Sequence, residues 1–228
     1  MEKPEEKIEK EILQANMVKV KKFFKNKQKN KIEISNTSWV TAAVGTELQR
    51  LLKEGVIRDG MKVLEIGCSI GIESSFLAKH GMKVVGVDFV LGTIEIAKKY
   101  AELIGSDVKY ICADFLDIKT DGLDGTFDLV FDQGCFHHFP INDRDKYAKK
   151  VSRLLKKEGL FFLRSFSNRM IPSPTNDGPW RISSDDIHDS FYKYFITEHL
   201  YLFNNLPLPN PLSYKPQVFW SYLGRNRG

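Results

Sequence analysis

The chain's 228 residues, 42% apolar and 28% charged, are enough to bury one full core, which excludes a disordered or low-complexity protein. No apolar run approaches the ~20 residues of a membrane span, and three scattered cysteines, Cys68, Cys112 and Cys135, argue against a disulfide framework. Net charge is +5 and uneven: residues 1–11 hold five glutamates against three lysines, whereas residues 19–31 hold seven lysines and no acid.

Met1 to Lys7 lacks the apolar stretch of a secretory signal, so a cytoplasmic location is expected. Among the lysines of 19–31, Val20, Phe23 and Phe24 keep helical spacing, which predicts an amphipathic helix packing on the body. A basic run is also compatible with nucleic acid, but a solvated helix face is the simpler reading. Residues 1–40 are taken as an N-terminal, lysine-rich helical segment and 41–228 as the main domain. With Phe23, Phe24 and Trp39, that segment can serve as a cover over a small-molecule site, or as an outer helix that only adds stability.

From residue 40 onward, helix and strand patterns alternate. A helix over Thr46–Glu54 stops at Gly55. Strand Lys62–Ile66 leads through small residues into a helix from Ile72 to about His80, closed by Gly81. Lys83–Asp88 is a β-rich run of the buried parallel kind. Ala97, Tyr100, Ala101 and Ile104 mark one helix face, and Gly105 ends it. Strands follow at Val108–Cys112 and Phe127–Asp132, then a helix over Asp143–Lys156 and a strand over Leu160–Arg164. The stretch 172–179 has the composition of a loop, Ser183 to Asp186 supply N-cap residues, and Ile187–Phe195 reads as the last helix. Two final strands, Thr197–Phe203 and Gln217–Leu223, are joined by a segment with four prolines that is unsuited to a crossover helix. They should pair antiparallel. The expected fold is α/β: a Rossmann-like, doubly wound, seven-stranded, mostly parallel sheet with an antiparallel C-terminal strand.

The richest stretch is Val63 to Gly71, where Glu65 sits near a strand end and Gly67, Ser69 and Gly71 punctuate the turn. Glycines let a backbone turn sharply and approach a ligand, and the following helix presents free N–H groups to it. The dinucleotide fingerprint needs a different glycine spacing. The Gly-x-Ser-x-Gly form also fits a nucleophile elbow with Ser69 as nucleophile, a reading that leaves the downstream acids unexplained. Those acids lie at the other strand ends: Asp88, Asp114 and Asp132, with Phe89 and Phe115 directly after the first two.

In that order these residues resemble the motifs of class I S-adenosylmethionine (SAM)-dependent methyltransferases. The resemblance implies SAM as cofactor, with Glu65, Gly67, Ser69 and Gly71 forming the methionine turn. It also implies Asp88 on the ribose, Asp114 on the adenine amino group, Phe89 and Phe115 flanking the ring, and Asp132 at the fourth strand end. Asp132 to Phe139, followed by Asp143, Arg144 and Tyr147, is similar to a small-molecule branch related to thiopurine and thiol methyltransferases, as is Gly178 to Ser183.

The expected partner is a small-molecule acceptor at sulfur, oxygen or nitrogen; RNA or protein acceptors, or SAM binding without turnover, are the alternatives. Gln133, His137 and His138 lie near the expected methyl group and are the candidate catalytic residues, since a neutral imidazole can accept a proton or orient an acceptor. No metal is expected, because two adjacent histidines lack further ligands. The three strand-end cysteines allow one sharper idea, a thiolate cluster for a soft acceptor such as trivalent arsenic.

Overall fold

The computed structural model describes residues 44–120, 122–170, 179–205 and 217–228. The expected N-terminal segment 1–40, most of the loop 172–179 and the proline-rich connection 206–216 lie outside the described residues.

The elements run α1 (Thr46–Lys53), β1 (Lys62–Ile66), α2 (Ile72–Lys79), β2 (Lys83–Asp88), α3 (Leu91–Ile104), β3 (Val108–Cys112) and β4 (Phe127–Gln133). After a 3-10 turn at Phe136–His138 come α4 (Ile141–Leu154), β5 (Leu155–Phe166), α5 (Ser184–Phe191), β6 (Phe195–Asn205) and β7 (Gln217–Asn226). The seven strands lie in the order β3-β2-β1-β4-β5-β7-β6, with β7 antiparallel to both β5 and β6. Chain order reverses between β1 and β4, so the crevice where ligands bind in open α/β sheets opens above Gly67 and Asp132.

Alternation along the strands divides the core. Leu64 and Ile66 of β1, Val130 of β4 and Phe161 and Leu163 of β5 face α4 and α5, meeting Tyr147, Val151, Ile187 and Phe191. Val63, Leu129, Phe131 and Phe162 face the other way, against Leu48 and Leu51 of α1 and Leu77 of α2. This parity places the side chains of Gln133 and Arg164 on the α1–α2 face, one residue beyond the apolar layer.

β1, β2 and β3 fall where the β-rich runs predict them. The later boundaries differ. α4 ends at Leu154 rather than Lys156, because Leu155, 2% exposed, already pairs with Phe127 in the sheet. Glu158 adopts a left-handed φ of 63° beside the bulge in that pairing, so the strand begins five residues early and bends. α5 starts at Ser184 because Ser183 and Asp186 form a capping box, each side chain bonding the other's backbone N–H. Its end at Phe191 frees Phe195, buried in the core, to open β6.

Candidate active site

Three residues in alternate positions of the β1–α2 turn are left-handed: Gly67 (φ 74°), Ser69 (φ 49°) and Gly71 (φ 76°). Gly67 N and Cys68 N donate to Val87 O at 2.8 and 3.1 Å, Gly71 N donates to Cys68 O at 2.8 Å, and Ser69 N donates to Asp88 Oδ2 at 2.9 Å. Gly71 then caps α2. A Cβ on Gly67 would lie 2.7 Å from Cys135 Cβ, and one on Gly71 would meet the Tyr110 hydroxyl. The turn is thus a concave run of backbone held against β2 and β4 with no room for a side chain at Gly67 or Gly71. Ser69 Oγ is buried without a hydrogen-bond partner, so no base among the described residues is placed to activate it as a nucleophile.

Asp88 clasps the turn from β2. Its Oδ2 takes the Ser69 N–H and its Oδ1 takes the Val90 N–H at 2.8 Å. Burial pushes its carboxyl upward and these two donors pull against that. Each oxygen keeps acceptor capacity for a ligand hydroxyl. Asp114, half-buried at the end of β3, accepts the Leu116 N–H at 3.1 Å in a local turn. Phe89 is half-buried beside Asp88. Phe115 requires a correction as a ring wall: it is 5% exposed, its ring meets Tyr147 edge-on at 5.3 Å, and Lys150 lies over it at 5.3 Å. Its side chain belongs to the core.

Two further acids are structural in this geometry. Glu65 lies under the turn, 3% exposed and hydrogen-bonded to Ser74 Oγ, tying α2 to β1. Burial, then Glu73, push its carboxyl well up. Asp132 is fully buried; its Oδ1 receives Gly134 N and Cys135 N at 3.0 and 2.7 Å and its Oδ2 receives the Tyr147 hydroxyl at 2.6 Å. Burial lifts its pKa to about 6 against those donors. Asp132 shapes the backbone at the end of β4 rather than reaching the crevice.

The histidines also separate. His137 is 3% exposed, its Nδ1 accepts the Phe166 N–H at 3.1 Å, and its ring stacks on Phe166 at 4.6 Å. With Nδ1 used and burial holding the ring neutral, His137 is packed into the β5 end in this structure. His138 is half-buried, and burial lowers its pKa to about 4 from 6.5. An unfolded histidine therefore takes a proton more readily than this one, and His138 destabilises the fold as pH drops from 6.5 toward 4. The expected loss is about 3 kcal/mol across that window, with Asp132 working in the opposite sense. Denaturant unfolding of wild type and His138→Gln from pH 7 to 4 checks this: the variant's curve should be flatter, and parallel curves would refute it.

The cysteines do not form a thiolate cluster. Cys68 is buried, Cys135 is half-buried, and Cys112 is exposed with its Sγ 3.8 Å from Phe89 O. Among the described residues no group of three or more His, Cys, Asp or Glu side chains is arranged to hold a metal ion.

On the α1–α2 side, sequence reasoning reached Gln133 but not its neighbours Arg164 and Glu73. Gln133 and Arg164 are register partners on β4 and β5, and a Cβ on Gly45 would collide with Gln133 Oε1 and lie 3.4 Å from Arg164 Nη1. Glu73, from the first turn of α2, faces both; burial raises its carboxyl and Arg164 counters. The Gln133 amide helps by proximity, but without hydrogen-bond geometry: its Oε1 and Nε2, like Arg164 Nε, are buried and unpartnered. For Arg164 the sequence signal was a charged residue ending an otherwise apolar strand.

A methyltransferase domain family matches residues 63–159, which span β1 to β5. The chain is 26% identical to a 2-heptyl-1-hydroxyquinolin-4(1H)-one methyltransferase of Mycobacteroides abscessus, over 71% of this chain and 70% of that one. Together these matches support a class I SAM-dependent methyltransferase. A ubiquinone biosynthesis O-methyltransferase of Coxiella burnetii is 27% identical over 69% of the chain, which spans only 58% of that protein's length. A solved structure from work on the conversion of a disulfide bond into a thioacetal group during echinomycin biosynthesis superposes with TM-score 0.70 at 25% identity, covering 82% and 84% of the two chains. These likenesses carry the superfamily and its cofactor, SAM, but not the thiopurine branch. The crevice suits that cofactor: Ser69 Oγ is an orphaned polar atom at the turn, and Asp88 has lone pairs to spare. Among the described residues no helix is long and apolar enough to cross a membrane.

Proposed function

We propose that this methyltransferase acts on a small-molecule acceptor, at an oxygen in preference to sulfur or nitrogen. The observation that carries the cofactor part is the Asp88 clasp on a glycine-bounded turn with left-handed residues at 67, 69 and 71, at the strand-order switch. The acceptor part is supported by the relatives, whose names describe methylation of a hydroxyquinolone and O-methylation in ubiquinone biosynthesis. Gly67, Ser69 and Gly71 would cradle the methionine end, Asp88 would accept from the ribose hydroxyls and Asp114 from the adenine amino group. When bound, SAM supplies a methyl group made electrophilic by its sulfonium. What the chain must add is alignment of the acceptor and exclusion of water. Gln133 and His138 stand nearest that task. An imidazole with a pKa of about 4 is neutral at pH 7 and orients an acceptor better than it removes a strongly held proton. The segment 1–40 would cover the acceptor.

The test is SAM-dependent methylation across hydroxyquinolones, catechols, thiols, amines and trivalent arsenic, with the full chain and a chain lacking residues 1–34. The expected result is turnover on hydroxylated aromatics, lost on truncation while SAM affinity remains. Turnover on RNA alone, with salt-sensitive affinity, would select the nucleic-acid reading. SAM binding with no turnover on any acceptor would select a regulatory protein.

A further inference from the structure

The unpartnered polar atoms beside Gly45 form part of a larger arrangement. Phe166, Phe219 and Phe203 are register partners on β5, β7 and β6, and their rings form a cross-strand row with centroid spacings of 4.9 and 5.6 Å and interplanar angles of 22° and 26°. Two guanidiniums lie on it: Arg164 Cζ is 4.7 Å from the Phe219 centroid and Arg181 Cζ is 5.0 Å from that of Phe166. His137 closes the row by stacking on Phe166. All of this lies at the carboxyl ends of β4 and β5, on the side of Gln133, next to the cofactor crevice.

Among the described residues Arg164 Nε and both ends of the Gln133 amide are buried without a hydrogen bond, which is costly unless a ligand completes them. Glu73 lies close enough to offset the guanidinium's charge, and Arg164 in turn counters the burial that raises the Glu73 carboxyl, but no hydrogen bond joins the two among the described residues. A planar acceptor bearing one oxygen anion meets each demand: the oxyanion takes the Arg164 N–H and the Gln133 amide N–H, and its ring lies beside the aromatic row. We infer that Arg164 and Gln133 form an oxyanion-selective acceptor subsite, beside the half-buried Phe166, that takes hydroxylated aromatics in their ionised form. This deepens the small-molecule reading and rests on it. It also removes the need for a strong general base: the acceptor proton goes to solvent as the anion binds, and the guanidinium replaces its hydration.

The competing use for Arg164 is the carboxylate of the cofactor itself, and the experiment separates the two. The protein is saturated with S-adenosylhomocysteine and titrated with 4-nitrophenol, whose phenolate is read by its visible absorbance. Wild type should favour the phenolate over the phenol at least tenfold more than water does. Arg164→Met and Gln133→Glu should abolish that preference, Arg164→Lys should keep part of it, and all three should retain S-adenosylhomocysteine affinity within about threefold. Melting curves establish that the variants are folded; if Arg164→Met is not, Gln133→Glu carries the test. No phenolate preference in wild type, an unchanged preference in folded variants, or a tenfold loss of S-adenosylhomocysteine affinity in Arg164→Met overturns the inference. Failure of methyl transfer on every acceptor, with the phenolate preference intact, would instead count against the function proposed above.

Discussion

Replacing Gly67 with alanine is expected to weaken SAM binding by about a hundredfold or more while leaving a folded chain. Two costs act together. An alanine at φ 74° pays about 1–2 kcal/mol for the left-handed conformation, and its Cβ would sit 2.7 Å from Cys135 Cβ, so the turn or the β4 end must move. Because the same backbone is proposed to form the methionine cradle, either movement would open the site. Two controls apportion the effect. Gly105→Ala carries the same kind of φ, 65°, with nothing within 4 Å of the new Cβ, and should cost stability but not affinity. Adding Cys135→Gly to Gly67→Ala should recover part of the affinity by removing the collision. Calorimetric titration that finds the Gly67→Ala chain binding SAM as tightly as wild type would place the cofactor elsewhere.

Asp88→Ala should lower SAM affinity at least about tenfold, the ordinary worth of a charge-assisted bond of 1.5–3 kcal/mol. The structure adds a second expectation. Asp88 accepts the Ser69 and Val90 N–H groups, so its loss also leaves two donors of the turn unmatched and should lower the melting temperature. Asp88→Asn keeps one acceptor oxygen and should fall between wild type and alanine in both properties. Calorimetry beside thermal melts checks the pair. A drop in stability with unchanged affinity would make Asp88 a structural clasp only.

The parts legible in the sequence are those encoded locally. β1, β2 and β3 are short β-rich runs bounded by glycine or aspartate, and their limits follow from composition. The Gly67–Gly71 turn was legible because positive φ demands small residues. Boundaries settled by tertiary contact were less so: nothing local shows that Leu155 leaves the helix to pair with Phe127. The acids show the same division. Asp88 and Asp132 both end a strand, yet only the packing of Tyr147 and the 3-10 turn around Asp132 turns it inward. His137 and His138 are neighbours in sequence, and their different surroundings come from Phe166 on β5. The Gln133–Arg164–Glu73 group joins three elements with no spacing rule between them, so only the assembled sheet displays it.

The central claim is that the crevice above β1 and β2 binds SAM through the Gly67–Gly71 turn and Asp88. Isothermal titration of the full-length wild-type chain with S-adenosylhomocysteine, in parallel with Gly67→Ala and with NAD as competitor, tests it most directly. The account predicts one micromolar site per chain in wild type, its loss in Gly67→Ala, and no displacement by NAD. Absence of binding in wild type, or equal binding in the folded variant, would contradict it.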